Sequence, residues 1–418
     1  MRDRRKVVVT GLGVVSPVGL DESTLWQNMI GGRHGIRLLS LLNAEEFKSK
    51  SVAEIDQTLL AAALAARQMR PADRAGDLAT LAAAQALEAA GLAGGQEPVA
   101  KRVAVVIGTG GGVSESVEDA YRRYWEGGLK GIRPTTIVRV INNSISGNIS
   151  IKYRLTGPNF VITSACASAS NAIGMAMRMV RDGYEDKVLC GGTDSLFSRS
   201  LFGAWDKIGA MSKNPDPNRA SRPFDTDRDG FVMGEGAAMI VVESEESAKA
   251  RGVRIRGEIC GYGESSDADH FTRPSSAGQA AAIRAALDDA GVRPDEVGFV
   301  NAHGTATEAN DECECQSIRD ALGNAADDVL VASNKSFFGH AMGASGALES
   351  VVTLLGLENG IVPPNLNLDH PDPKCTLRFV PGTATAIVPP VAIKNSFAFG
   401  GTNAVLVFRR YVQDHGGK

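Results

Sequence analysis

The sequence predicts an α/β protein built from two similar halves, residues 1–252 and 253–418. Short β-branched runs alternate with Ala- and Leu-rich segments along the chain, which is the pattern of strands alternating with helices. Near residue 255 the same pattern begins again. A repeat on this scale indicates internal duplication.

Length and composition exclude several classes of protein. The 418 residues fit two domains or one large duplicated unit, and 43% hydrophobic content supplies an ordinary globular core. The net charge of −4 provides no basic field for nucleic acid. The sequence shows no signal peptide and no apolar run of about 20 residues, so we expect a cytoplasmic protein without a membrane span.

The sequence also gives no indication of a disulfide framework or a metal site. Six cysteines are few for a chain of this length. Cys313 and Cys315 lack the spacing of zinc ligands. The acidic segment 225–236 begins like a calcium loop, but its twelfth position is Gly236 and Glu235 comes one residue early. We therefore expect no bound metal.

The predicted elements follow the alternating pattern in order. Strands are expected at 6–10, 103–107, 161–162, 187–190, 237–242, 297–300, 329–332, 391–395 and 404–408, and helices at 59–69, 78–90, 172–180, 243–251, 278–290 and 341–357. We interpret 11–16 as a tight turn and exclude an NAD site there, because Ser16 replaces the third glycine of that motif. The glycine-rich turn 108–112 lacks the Lys-Ser/Thr ending of a P-loop.

Cys166 lies at a predicted junction between a strand and a helix. The apolar run at 161–162 ends in small residues, and an apolar helix follows Cys166 as far as Val180. A helix N-terminus favours a thiolate, and a tight turn leaves a backbone N–H beside the sulfur for an oxyanion. The alternative is a small buried cysteine that only fills space.

Three further candidates occupy similar junctions. His303 precedes Gly304, His340 follows Gly339, and Lys335 opens the segment before His340. Each could be structural, as a hydrogen-bonded core histidine or a surface lysine. His303 and His340, two of six histidines, fall at glycine-flanked junctions between predicted elements, where backbones approach closely, and this favours a functional site.

With these motifs in view, the chain resembles the elongating β-ketoacyl-acyl carrier protein synthases. The resemblance covers nearly the whole chain and rests on SACAS (164–168), RPFD to GFVMGEG (222–236), NAHGTAT (301–307), NKSFFGH (334–340) and NSFAFGGTN (395–403). It implies the thiolase-like fold, with duplicated halves in five α-β-α-β-α layers, and a homodimer.

The resemblance also implies roles for the candidates. Cys166 would take an acyl chain from a carrier protein, and His303 and His340 would stabilise the enolate formed when malonyl-carrier protein loses CO₂. The backbone N–H groups of Cys166 and Phe399 would form the oxyanion hole. Lys335 would supply positive potential, supported by Glu349, with further supporting positions at Asp311, Thr305 and Thr307.

Two positions depart from the usual pattern of the family. Ala398 replaces a glycine beside the Phe399 gate. Gly111 replaces a bulky aliphatic residue that would close the far end of a partner's acyl pocket, which predicts a longer pocket. These departures leave two pathways open, fatty-acid synthesis or a specialised polyketide or polyene system with a chain-length-factor partner.

The resemblance implies no redox cofactor, since the substrates are carried on the phosphopantetheine of acyl carrier protein. A structural monovalent cation near Asn301, Glu349 and Asn395 is a further implication. An acidic carrier protein would meet exposed cations flanking the entrance, namely Lys130, Lys207, Lys213 and Arg219. A non-condensing partner subunit and a thiolase acting on CoA thioesters are the alternative functions.

Overall fold

Strands and helices alternate as predicted throughout the computed structural model, which describes residues 4–93, 101–380, 382–386 and 391–413. The strands are β1 Val7–Val15, β2 Arg37–Leu38, β3 Ser51–Val52, β4 Ala104–Gly108, β5 Asn159–Ile162, β6 Lys187–Asp194, β7 Gly236–Ser244, β8 Gly257–Ser266, β9 Val297–Asn301, β10 Leu330–Ala332, β11 Ile361–Val362, β12 Arg378–Phe379, β13 Thr385–Ala386, β14 Val391–Ala398 and β15 Thr402–Arg409. The helices are α1 Glu22–Ile30, α2 Gln57–Ala66, α3 Arg74–Ala89, α4 Ser114–Gly127, α5 Thr136–Val140, α6 Ser144–Tyr153, α7 Ser168–Arg181, α8 Arg199–Ile208, α9 Pro217–Ala220, α10 Glu245–Arg251, α11 Ser276–Ala290, α12 Glu308–Leu322, α13 Lys335–Phe338 and α14 Ser345–Asn359.

The strand order of the large sheet shows the internal duplication. The order β5-β4-β6-β7-β1 is followed by β8-β15-β14-β9-β10, its mirror image, and β12 extends the far edge. In each half the first three strands from the outer end are parallel and the last two pairings are antiparallel. The two halves join where β1 meets β8, through the pairs Val8 with Glu258 and Val9 with Gly257.

The two halves of the large sheet form two β layers, and the helices form three further layers. One outer layer contains α3, which packs on β1, β6 and β7, and the opposite outer layer contains α11, which packs on β8 and β15. Helices α7 and α14 pack against each other and against strands of both halves, so they form the middle layer. The α-β-α-β-α arrangement implied by the resemblance is therefore confirmed.

The predicted tight turn at 11–16 is wrong, because β1 continues as a strand to Val15, with an irregularity between Val9 and Gly11. Its glycines serve helix packing instead. A Cβ at Gly11 would lie 2.1 Å from the Ala86 carbonyl oxygen of α3, and one at Gly13 would lie 2.0 Å from the Ala82 carbonyl oxygen. Only glycine permits so close an approach of a helix backbone.

The second half repeats this device, which supports the duplication independently. In β8, a Cβ at Gly261 or Gly263 would lie 2.5 or 2.3 Å from a carbonyl oxygen of α11.

Within the described ranges, no helix combines the length and the apolar character needed to span a bilayer.

We predict that Gly13→Ala destabilises the protein by about 1–3 kcal/mol or more, because the new methyl group must push α3 away from the sheet. The matched control is Gly76→Ala in the same helix, where a Cβ meets no atom closer than 3.9 Å. This change should be neutral or stabilising by up to about 1 kcal/mol. Urea unfolding midpoints measure both variants, and equal midpoints would contradict the packing role of Gly13.

Candidate active site

Cys166 sits at the floor of a pocket, in a single 3-10 turn (Ala165–Ala167) between β5 and α7. Ala165 directly before it has a φ of +47°, a region that non-glycine residues rarely occupy. The Ser168 hydroxyl supports the turn, because it accepts from the Ser164 N–H at 2.9 Å and donates to the Ala165 carbonyl at 2.7 Å. The predicted strand–turn–helix placement of Cys166 is confirmed.

The two histidines converge on this sulfur. His340 comes after α13 and lies with Nε2 3.1 Å from Cys166 Sγ. Its Nδ1 lies 2.9 Å from the Ser345 hydroxyl. His303 follows β9, and its ring centre is 5.3 Å from that of His340. One side-chain sulfur or nitrogen atom from each of Cys166, His303 and His340 lies within 4.8 Å of the other two.

Lys335 and Glu349 stand behind His303, as the resemblance implies. The Lys335 ammonium forms an ion pair with Glu349, donates to the His303 carbonyl at 2.6 Å and lies 3.4 Å from His303 Nδ1. An ammonium group can only donate, so Nδ1 is the acceptor and the ring proton belongs on Nε2, toward the pocket. The Ser345 hydroxyl can donate to His340 Nδ1 in the same way.

Both imidazoles are neutral at pH 7. Burial lowers the pKa of His303 well below its ordinary value, and the charges of Lys335, His340 and Lys394 lower it further. Burial likewise lowers the pKa of His340, followed by the charges of Lys335 and Lys394. The site therefore offers two uncharged N–H donors beside one sulfur.

The predicted thiolate at Cys166 is wrong for the free enzyme. Burial raises the pKa of the thiol to about 11, against the opposing charge of Lys335 and with a further increase from Asp194. The backbone N–H groups of Phe399 and Cys166 itself lower this pKa. They are insufficient to offset burial, because a group removed from water loses the solvation that stabilises its charged form.

The pocket above Cys166 has a volume of about 90 Å³ and a mainly apolar lining. Thr305 and Thr307 line it, with their hydroxyl oxygens 2.8 Å apart. Asp311 lies outside the lining and is buried, where its carboxylate accepts from the Phe224 N–H at 2.8 Å. Among the predicted supporting residues, the two threonines thus face the pocket and the aspartate braces the loop behind it.

The predicted gate residues lie at the pocket wall. Ala398 ends β14, pairs with Thr402 and has no positive φ, whereas Gly400 and Gly401 after it have φ values of +83° and +72°. The turn therefore places its left-handed conformations after Phe399 and leaves Ala398 unstrained.

Gly111 lies away from the Cys166 pocket, at a separate groove along α4. A Cβ there would meet Leu196 Cδ2 at 1.9 Å, so Leu196 already fills the space beside it. The Gly111 N–H donates to Asp194 at 2.9 Å. Within this chain Gly111 serves the turn and opens no acyl pocket, and its role toward a partner's pocket stays a prediction.

Comparison with known proteins gives one consistent answer. Residues 4–248 match the family model described as Beta-ketoacyl synthase, N-terminal domain, and residues 256–369 match its C-terminal counterpart. The chain belongs to the β-ketoacyl synthase family. Like other ketosynthases it is an acyltransferase, as the sequence motifs predict.

Individual relatives agree with this assignment. The ketosynthase is 40% identical to a protein of Synechocystis sp. and to one of Coxiella burnetii, both named 3-oxoacyl-[acyl-carrier-protein] synthase 2, over 98% of this chain and 99% of each relative. Among solved structures, the ishigamide ketosynthase/chain length factor superposes with a TM-score of 0.90 at 36% identity, covering 98% of this chain and 100% of that one. A beta-ketoacyl synthase from Burkholderia phymatum gives 0.89 at 34%, with the same coverage. The thiolase-like fold is confirmed.

Two buried carboxylates of the ketosynthase escaped the sequence analysis. Glu314 on α12 accepts the N–H groups of His303 and Gly304 at 2.7 Å each, and so fixes the loop that carries the His303 imidazole. Asp194, at the end of β6, accepts the N–H groups of Gly110 and Gly343 at 2.8 and 2.7 Å. It ties the glycine-rich turn to the segment after His340.

Trp205 of α8 is a third residue that was missed. Its ring stacks on Phe399 with centres 5.7 Å apart and planes 29° apart, and it meets the edge of Phe231 at 5.6 Å. Phe231 in turn contacts His340, with ring centres at 5.5 Å. The Phe399 ring is therefore held in place by a half-buried tryptophan that lines the same pocket.

We predict that Trp205→Ala speeds acylation of Cys166 by an acyl thioester about 2- to 13-fold, because an aromatic pair is worth about 0.5–1.5 kcal/mol beyond its area. Timed quenching and mass spectrometry of the acyl-enzyme measure the rate. Tyr184→Ala, at an exposed position, is the control. An unchanged rate for Trp205→Ala would show that the stacked pair does not limit gate opening.

Proposed function

We propose that this ketosynthase extends an acyl chain by two carbons through decarboxylative condensation of malonyl-carrier protein with an acyl group on Cys166. The observation that carries the proposal is the pair of neutral imidazoles beside one sulfur, with the His303 proton directed to the pocket by Lys335. Initiating relatives carry an Asn in place of the second histidine, and a thiolase relies on a second cysteine.

The first step transfers the acyl chain. Cys166 Sγ attacks the thioester carbonyl, the bond from that carbon to the carrier's sulfur breaks, and the thiol proton ends on the departing phosphopantetheine. The backbone N–H groups of Cys166 and Phe399, which lower the pKa of the thiol, would donate to the tetrahedral oxyanion. Phe399 must swing aside for the chain to enter.

The second step forms the carbon nucleophile. The bond from the malonyl carboxylate to the α-carbon breaks, CO₂ leaves, and the electron pair passes to an enolate whose oxygen accepts from the Nε2–H groups of His303 and His340. The enolate carbon attacks the acyl carbonyl, and the bond to Cys166 Sγ breaks. A neutral imidazole suits this role because an imidazolium would protonate the enolate and quench it.

Acyl carrier protein is the proposed donor of both substrates, as the names of the relatives indicate for those proteins. A solved neighbour, 29% identical with a TM-score of 0.89 over 98% of this chain, is a type II polyketide ketosynthase in complex with its acyl-carrier protein. Four exposed cations are proposed to attract the acidic carrier, namely Lys130, Lys207, Lys213 and Arg219. We propose no separate cofactor, since the phosphopantetheine arrives with the substrate.

The proposed assembly is a homodimer, with a chain-length-factor heterodimer as the alternative. Helix α4 and the segment after it expose large apolar side chains: Tyr121, Trp125, Leu129, Ile137 and Val138. Strand β5, which follows these helices in the chain, is an edge strand of the large sheet. A second copy of the ketosynthase would cover both the exposed apolar side chains and this edge strand. Because the chain has an intact Cys-His-His set, it needs no different chain to supply catalytic residues.

We further infer that the two halves of the chain divide at residue 252, and that the protein acts in the cytoplasm.

We predict that Cys166→Ala abolishes acyl transfer but retains decarboxylation of malonyl-carrier protein, because both imidazoles remain. His303→Ala and His340→Ala should each reduce decarboxylation about 10²- to 10³-fold, the usual effect of removing one oxyanion donor, while Cys166 still becomes acylated. Released CO₂ and the mass of the acyl-enzyme report the two steps separately.

His370→Ala, an exposed histidine outside the pocket, serves as the control and should leave both steps unchanged. The division of roles is wrong if either catalytic histidine variant blocks acylation as fully as Cys166→Ala. Product lengths obtained with purified carrier protein and a ladder of acyl primers distinguish fatty-acid from polyene chemistry.

A further inference from the structure

Lys394 is a fully buried lysine that the catalytic scheme above does not use. It lies on β14, and its ammonium is 2.8 Å from Glu349 Oε2. It also donates to the Ser396 hydroxyl and lies 3.5 Å from the Ser170 hydroxyl of α7. Lys335 binds the other oxygen of the same carboxylate. Glu349 is thus held between two ammonium groups, all three side chains being at most 1% exposed.

The charges around this pair balance. Glu314 supplies a second buried carboxylate, and every partner it has among the described residues is an N–H donor, as suits an ionised group. Burial raises the pKa of Glu314 and lowers that of Lys394, but each also contacts groups that favour its charged form, so two ammonium groups and two carboxylates sum to zero around His303. Buried charges are tolerated when they are paired and hydrogen-bonded, and a further charge would have to remain uncompensated.

The monovalent cation implied by the resemblance does not fit these residues. Asn301 pairs with Lys394 across parallel strands, and its side chain turns to Glu349 and Thr353 in the middle layer. Asn395, the next residue along the strand, turns to the opposite face and binds Glu314. Asn301 Oδ1 and Asn395 Oδ1 are buried without a hydrogen-bond partner among the described residues, but the two side chains lie on opposite faces of the sheet, and the Lys394 ammonium already contacts Glu349 where an ion would sit.

We propose that Lys394 takes the place of a bound monovalent cation and acts as a positioning residue for His303. Its ammonium neutralises Glu349 Oε2, Glu349 holds Lys335, and Lys335 sits 2.6 Å from the carbonyl and 3.4 Å from Nδ1 of His303. The fixed charge needs no ion from solution. The activity measurement that tests this inference rests on the proposed function, whereas the stability measurement is independent of it.

Removal of the Lys394 charge has a definite electrostatic consequence. The groups that face His303 are Lys335, Lys394, His340 and the edge of Phe397, and Glu314 binds its backbone. The positive charge of Lys394 contributes to lowering the pKa of both imidazoles. Without it these pKa values rise, the imidazolium form gains population at acid pH, and decarboxylation is lost from the acid side first.

The test compares wild type with Lys394→Met in NaCl, KCl and choline chloride at equal ionic strength, following thermal unfolding and the pH profile of malonyl decarboxylation. Wild type should give the same Tm and profile in all three salts. Lys394→Met should unfold at a lower temperature, most of all in choline. The midpoint of the acid limb of its pH profile should move to higher pH by half a unit or more, which is about a threefold loss of decarboxylation rate at a given pH on that limb.

Lys374→Met, which removes an exposed lysine paired with Glu312, is the matched control and should not move the acid limb. If Lys394→Met does not fold, the double variant Lys394→Met/Glu349→Gln removes both charges and should fold better than the single variant. A wild type that loses several degrees in choline would overturn the proposal. So would an unchanged acid limb in Lys394→Met, or a double variant less stable than the single one.

Discussion

The site depends on one buried carboxylate, Glu349, placed between the ammonium groups of Lys335 and Lys394. Because none of the three can reach water, each fixes the others, and an ion pair in this setting is broken only at the loss of several kcal/mol. Lys335 is therefore fixed beside His303, where it decides which ring nitrogen carries the proton. Burial keeps both imidazoles uncharged, and the same two positive charges lower their pKa values further.

The internal duplication explains how these groups come together. Cys166 precedes helix α7 of the first half, and His340 precedes helix α14 at the corresponding place in the second. Since these two helices pack against each other in the middle layer, the chain segments at their N-termini meet. His303 enters from the end of β9, which is separated from the seam between the halves by three strands, β8, β15 and β14. The pocket belongs to both halves, and neither half alone contains the nucleophile and both donors.

Sequence patterns predicted the elements and the central Cys166, His303 and His340, because residue type and position at a strand or helix end leave a local signal. They failed where the deciding partner is distant in the chain. Gly11 and Gly13 have the sequence of a turn, yet the carbonyl groups of α3 demand glycine within a strand. Glu314 sits in a polar helix that reads as solvated, and only the fold shows its carboxylate under His303.

Burial is the other quantity that the sequence could not supply. The helix N-terminus beside Cys166 correctly indicated stabilisation of a thiolate, but the depth of the pocket outweighs it and raises the pKa of the thiol to about 11. Trp205 gave no signal at all, since its importance comes from stacking on Phe399, nearly 200 residues later in the chain. Packing thus determines both the protonation of Cys166 and the position of the Phe399 ring.

The central claim is that both imidazoles beside Cys166 are neutral, and that burial and the buried lysines keep them so. The most direct measurement is nuclear magnetic resonance of the enzyme labelled at its histidine rings, recorded from pH 5 to pH 8. The account predicts that the signals of His303 and His340, assigned by their alanine variants, do not titrate in this range. A midpoint near the ordinary histidine value of about 6.5 for either catalytic ring would contradict it.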